Sequence, residues 1–420
     1  MVAKILRLCY NSNMNRKYDV VVIGGGPAGM MASIFAAKRG KSILLLEHNE
    51  KLGKKLYITG KGRCNITNDS SIDNHLNNII RNPKFMYSAL NGFSPKDVME
   101  FFKSCGLNVV TERGGRVFPS SNKSSDVIKT LTKVLKENRV DIALNTNVVS
   151  ISKNDNIFDI LCSDNNTYTA DSLIIACGGV SYSLTGSDGS VWEMIKNLGH
   201  NIVSPTPSLT RIVVKEDLNG LEYLELKNVR LSVTIDKKTY SAEGEMAFAD
   251  NMLIGPIAIT MSSYLSRLDL TNTKCELDLK IGLTEDELDA KFIREFKLTP
   301  AKKLYTYLNT VIPHSFVNTF ATRLQLENKN LADITKQERL NIIRGLKHFS
   351  FTIIGLDNID RAIITSGGVD TKEINSKTME SKLVSNLYFA GEVIDVDALT
   401  GGYNLQIAWS TGKLAGDNVK

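Results

Sequence analysis

The chain has 420 residues, of which 42% are hydrophobic and 23% charged, and 51 Lys+Arg against 45 Asp+Glu leave a formal charge of +6. A folded chain of this length buries roughly three quarters of its surface, which excludes disorder, collagen-like repeats and a disulfide scaffold. Six cysteines without a CxxC pair and five histidines without an HxH or HExxH arrangement point to a reduced, cytoplasmic compartment and to no metal centre. The small basic excess carries no block of like charge and is weak ground for a nucleic-acid partner, and no apolar run is long enough to span a membrane.

The first dozen residues read as a loose extension without an export signal, with Met14 closer to the functional start. Tyr18 to Ile23 (YDVVVI) is a β-branched apolar run that suits a central strand of a parallel sheet. Gly24 to Gly29 follows, then a helical pattern closed by Gly40, then a second strand, Ser42 to Leu46, ending in Glu47. This is a βαβ unit. Gly53 to Asn68 reads as a loop, and Pro83 to Leu90, Ser94 to Ser104 and Ser124 to Glu137 read as helices. Strands are expected at Val140 to Ile151, Ile157 to Cys162 and Ser172 to Ala176, with a helix at Ser190 to Leu198.

From Pro205 to Leu279 short alternating strands are expected, and four amphipathic helices between Glu285 and Leu346. Alternation returns at Phe349 to Ile354, a last short strand is Leu387 to Ala390, and Tyr403 to Val419 closes the chain as a helix. The predicted fold class is α/β. A split Rossmann-like domain (18–205 and 355–420) holds an inserted β-barrel-like domain (206–280) and a small helical domain (281–354).

Three constellations carry chemistry. Gly24-Gly25-Gly26-Pro27-Ala28-Gly29 is a GxGxxG between strand and helix. Gly24 permits the turn, Gly26 lets backbone N–H groups approach a pyrophosphate, and Gly29 allows close packing. Glu47, eighteen residues on from Gly29, is placed for a ribose diol. The motif implies an ADP moiety and leaves FAD and NAD both open. The second is Thr59 to Asn68 (TGKGRCNITN), where Lys61 and Arg63 can neutralise a pyrophosphate and Cys64 reads as a packed thiol rather than a redox partner. The third is Asn386 to Asp395 (NLYFAGEVID) with Gly401 to Gln406 (GGYNLQ). A strand ending in Ala-Gly-Glu and a glycine pair opening a helix suit a flavin ring edge, and Asp395 suits ribityl hydroxyls.

With these in view the sequence resembles the YhiN/BaiN-like flavoproteins, a branch of NAD(P)/FAD-dependent oxidoreductases also labelled aminoacetone-oxidase-like. The resemblance rests on VVIGGGPAGMMA (21–32), TGKGRCNITN (59–68), GGRVFP (114–119), LIIACGG (173–179), TSGGVD (365–370), TMESKLV (378–384) and LYFAGEVIDVDALTGGYNLQIAWSTG (387–412). It implies noncovalent FAD, held by Gly24, Gly26, Pro27, Ala28, Gly29, Glu47 and Lys54, by the Gly62-Arg63-Cys64-Asn65 loop, by backbone at Val148, Ala176 and Gly178, and by Gly391, Glu392, Asp395, Gly402, Tyr403, Asn404 and Gln406. It also implies an oxidoreductase passing a hydride between flavin N5 and a small or medium organic substrate. An NAD(P)H-linked enone reductase and an amine oxidase using oxygen are both compatible, and without a second GxGxxG, NAD(P)H is expected only as a transient donor. Where relatives carry a Thr-His pair, this chain has Phe248-Ala249-Asp250, so Tyr403 and Asp250 are the candidate proton donors. An RNA-modifying flavoprotein and a non-catalytic FAD-binding protein are the rival readings.

Overall fold

The computed structural model describes residues 16–420, with Arg16 described through its backbone only. The expectations for residues 1–15 lie outside it. The chain divides into two compact units, one formed by the residues up to Thr206 together with Ile363–Lys420, the other by Pro207–Ala362.

The first unit is built on a seven-stranded sheet. Its strands run in the order Asp141–Ala143, Ile43–Leu46, Arg16–Ile23, Thr167–Ile175, Ile157–Cys162, Val148–Asn154, and Leu387–Phe389 pairs with the upper half of Thr167–Ile175. The five strands nearest the site are parallel, and the register aligns their ends: Ile23 pairs Leu46 and Ile175, Leu46 pairs Ala143, and Phe389 pairs Ile175. Residues Val20 to Val22 and Leu44 to Leu46 are buried, as a run covered on both faces requires. Gly24, Glu47, Ala176 and Ala390, the residues that follow these strands, therefore come level at one edge of the sheet.

Two helices pack there against each other. Pro27–Lys38 starts with proline at its first position, where the missing N–H costs nothing. Tyr403–Asn418 crosses it at Gly412 and Gly416, where an added Cβ would lie 2.4 Å from Ala28 O and 2.4 Å from Ala32 O. Helix Pro95–Ser104 opens with a Ser94–Asp97 capping box and helix Ser124–Glu137 matches its predicted bounds.

The second unit is a closed antiparallel barrel of six strands, in the order Ile212–Val214, Met252–Ile254, Lys238–Ala249, Glu225–Ile235, Thr273–Asp278 and Phe349–Leu356. Helices Glu285–Leu298, Leu304–Leu308, His314–Arg323 and Lys336–Lys347 share its core, with Phe316 stacked on Phe248 and edge-on to Phe349. The helical segment expected at 281–354 is thus part of the barrel unit, because its four short helices share one apolar core with the strands. A helix not expected from sequence, Pro256–Leu265, interrupts the strands. Gly255 at φ 93° turns the chain and Pro256 begins the helix, whose Ile257, Ala258, Met261 and Leu265 are buried.

Overpacking a tight backbone crossing costs about 1–3 kcal/mol. Gly412→Val is expected to lose that much in denaturant titration, whereas Gly282→Ala, with open space around its Cβ position, is expected to leave the midpoint in place.

Candidate cofactor site

The site grows from the Gly24–Gly29 turn. Gly24 adopts φ 107°, and a side chain there would collide with Ala176 O at 2.4 Å. A Cβ on Gly29 would lie 1.9 Å from Gly24 O, so both are glycine by steric necessity. Gly26 differs: nothing lies within 4 Å of its Cβ position. The turn is packed from behind and open in front, and the N–H groups of Ala28 and Gly29, in the first helical turn, have no intrahelical acceptor.

Glu47 is buried and ends the neighbouring strand. Its Oε2 accepts from Gly25 N at 2.8 Å and its Oε1 from Asn49 N at 2.8 Å and Asn49 Nδ2 at 2.7 Å. Just beyond the adjacent strand Asp141–Ala143, backbone N–H groups of Asn145 and Thr146 donate to Asn49 O and Glu47 O, which brings the segment leading into Val148 beside this acid. Lys54 donates to Asn49 Oδ1 at 3.1 Å.

The C-terminal turn reaches the same place. Gly391, at φ 78°, leaves only 2.7 Å between its Cβ position and Ala28 Cβ, and its N–H donates to Thr411 Oγ1 at 2.9 Å. Gly178 abuts Ser187 Oγ, itself buried and without a protein partner. Asp395 is buried and receives Asn82 Nδ2 on its Oδ2 at 3.2 Å. Gly402, at φ 101°, lies against the Thr67 backbone.

Several expected ligands have their side chains committed elsewhere. Arg63 donates to Asn122 Oδ1 and Glu112, with its guanidinium 4.0 Å from the centre of the Phe118 ring. It braces the short sheet of Thr67–Asn68, Val109–Glu112 and Arg116–Pro119 rather than facing a phosphate. Asn404 clamps Ala398 N and O, and Gln406 is buried between Thr67 Oγ1, Phe93 O and Ser410 Oγ. Polar residues beside glycine turns look like ligands in sequence, yet here they fasten distant loops.

Cys64 is buried at φ 61°, and burial pushes its thiol up to about 12. Asn65 keeps a buried Oδ1 with no partner, and Gly62 at φ 84° has open space around its Cβ position. Tyr403 is buried, accepts from Asn74 Nδ2 at 3.1 Å and stands edge-on to His75. His75 shares a hydrogen bond with Asn68 O through Nε2, and burial lowers its pKa. Asp250 belongs to the barrel unit, exposed at the turn between Lys238–Ala249 and Met252–Ile254.

Lys55, Ser181 and Thr365 are not among the residues expected at the site from sequence. Lys55 Nζ donates to Glu392 at 2.9 and 3.1 Å and to Ser181 Oγ at 2.8 Å, while Thr365 N donates to Glu392 Oε1 at 2.9 Å. The KLGKK run offered no signal for which lysine turns inward.

These residues fit a flavin adenine dinucleotide. An open glycine face at a helix N-terminus suits a pyrophosphate, a buried acid at a strand end suits a ribose, and the unpartnered Asn65 Oδ1 and Ser187 Oγ are hydrogen-bonding atoms awaiting a partner. No helix among the described residues is long and apolar enough to cross a membrane, and no cluster of His, Cys, Asp or Glu among them can hold a metal ion.

The HI0933-like protein Rossmann domain matches residues 18–418. The chain belongs to that family. It is the flavoprotein family that the motifs resemble, and the chain is an FAD-dependent oxidoreductase. It is 28% identical over 409 residues to a 3-dehydro-bile acid delta(4,6)-reductase of Clostridium scindens, covering 96% of this chain and 98% of that protein. It is likewise 28% identical over 405 residues to a ribosomal RNA dihydrouridine synthase of Haemophilus influenzae, covering 95% and 97%. Among solved structures, the 3-ketosteroid delta1-dehydrogenase of Sterolibacterium denitrificans shares the fold, with a TM-score of 0.52 at 13% identity, covering 96% of this chain and 99% of that one.

The buried thiols set an alkaline limit. Burial raises Cys64 and Cys177 from 9.0 to about 12, so the folded state holds protons that the unfolded state releases. Stability they contribute is complete below the unfolded value and falls as pH rises through it towards the folded one. Denaturation midpoints are expected to drop between about pH 9 and about pH 12, and Cys64→Ala is expected to flatten that slope.

Proposed function

We propose that the protein reduces a carbon–carbon double bond conjugated to a carbonyl, with NADH or NADPH as a transient hydride donor. The observation that carries this reading is the convergence of the Gly24–Gly29, Ala176–Gly178 and Gly391–Asp395 turns at one sheet edge around the open face of Gly26. FAD, when bound, supplies an N5 atom that takes up a hydride and gives it up again.

The chain's own residues bind, orient and protonate. The N–H groups of Ala28 and Gly29 and the helix dipole behind them hold the pyrophosphate. Glu47, fixed by Gly25 and Asn49, presents remaining lone pairs to a ribose diol. Asp395, steadied by Asn82, faces polyol hydroxyls. Tyr403 Oη accepts from Asn74, which orients the phenol so that its own proton can be donated to the carbon next to the one that gains the hydride, completing saturation of the bond.

The relatives support the class of bond. A 3-dehydro-bile acid delta(4,6)-reductase saturates carbon–carbon bonds conjugated to a ketone, and a dihydrouridine synthase saturates the uracil bond conjugated to its C4 carbonyl. A small or medium enone is the first reading of the substrate. A uracil base in ribosomal RNA is the second, favoured by two relatives of that name at 28% identity covering 96–97% of their lengths.

Anaerobic reduction of the FAD-loaded protein by NADH or NADPH, followed by addition of an enone, is expected to bleach and then restore the flavin absorbance with slow reoxidation in air. Restoration by a ribosomal RNA fragment instead of the enone selects the second reading. Rapid reoxidation in air with peroxide, or flavin that no donor reduces, overturns both. Tyr403→Phe is expected to slow the enone step about a hundredfold while leaving reduction by the nicotinamide unchanged.

A further inference from the structure

Lys55 and Glu392 lie 337 residues apart in sequence and form a part-buried ion pair, their side chains 20% and 18% exposed. Each stands next to a contact with the dinucleotide turn. On one flank Gly53 N donates to Gly25 O at 2.9 Å, and Leu52 fills the space where Gly25 would carry a Cβ. On the other flank Gly391 is pressed against Ala28. Gly25, Gly53, Lys55, Glu392, Gly391 and Ala28 thus make a closed circuit. Gly26, the one residue of the turn with open space before it, lies on that circuit between Gly25 and Ala28.

The pair is more strongly held than packing demands. Glu392 also accepts from Thr365 N at 2.9 Å and Ser181 Oγ at 3.2 Å, and Lys55 donates to Ser181. Withdrawing an ammonium and a carboxylate from water is costly, and an apolar pair would often stabilise as well. A pair retained at the rim of a binding face points to a task at that face.

We propose that Lys55 and Glu392 form a clasp across the mouth of the dinucleotide site that governs release of the cofactor. The proposal rests on the reading of this edge as the FAD site. With the clasp closed, the segment before Lys55 and the Gly391 turn are tied together on both sides of the pyrophosphate face, so the dinucleotide leaves only when the pair parts. Ser181 and Thr365 hold Glu392 in register for the lysine, which makes them positioning residues.

The test is the rate at which FAD leaves the loaded protein, followed by the recovery of flavin fluorescence after dilution. Lys55→Met and Glu392→Gln are each expected to speed release about tenfold. The double variant is expected to be no faster than either single one, because both break the same link. Lys55→Arg is expected to restore slow release. Uptake of FAD with equal release rates in wild type and all variants overturns the clasp alone, as do single effects that multiply in the double variant. A wild-type protein that takes up no FAD removes the site reading and the clasp together. Should Glu392→Gln fail to fold, Lys55→Met against Lys55→Arg decides the matter by itself.

Discussion

Backbone pressed on backbone at the carboxyl edge of the parallel sheet is the constraint on which the first unit depends. Gly24 against Ala176, Gly29 against Gly24, Gly412 against Ala28 and Gly416 against Ala32 each leave no room for a single methyl group. These contacts bring the start of the first helix, the ends of two strands and the last helix of the chain within touching distance. Only with that approach can residues from both ends of the sequence share one binding face.

The same contacts explain the division of labour among the polar residues. Close packing leaves many backbone and side-chain groups without water, and each needs a partner. Gln406, Asn404 and Thr67 answer that need, and their hydrogen bonds join the Thr59–Asn68 loop to the head of the last helix and tie that helix to Phe93 O and to the Ala398 backbone. Glu47 is also held by protein donors and takes three hydrogen bonds of the roughly four that a carboxylate can accept, whereas Glu392 takes four, from Lys55, Ser181 and Thr365.

The barrel unit obeys a different rule. Its strands and helices meet in one aromatic core, where Phe248, Phe316, Phe349 and Phe351 stack or meet edge to edge. Closure of the six strands removes exposed edges, and the helices cover apolar surface that no separate helical domain of that size would bury. Asp250 is exposed at a turn of this unit, and Tyr403 is buried at the head of the last helix in the other. Burial between Asn74 and His75 gives Tyr403 a defined orientation, which an exposed turn residue lacks.

Much of this was legible in the amino-acid sequence. The GxGxxG turn, the helix starting at Pro27, Glu47 at a strand end, the split of the Rossmann-like unit and the barrel-like insertion all follow from local periodicity and from glycines whose positions have a steric cause. Family membership was legible for the same reason, since the long C-terminal run keeps a chain of residues whose packing is mutually dependent. What only the tertiary structure decided was the choice among chemically similar side chains: that Lys55 turns to Glu392 while Lys54 turns to Asn49, that Arg63 braces a sheet, and that Pro256–Leu265 is a helix. Lys55 finds Glu392 337 residues away and Arg63 finds Glu112 and Asn122 49 and 59 residues away, and pairings over such separations leave no trace in the spacing of neighbouring residues.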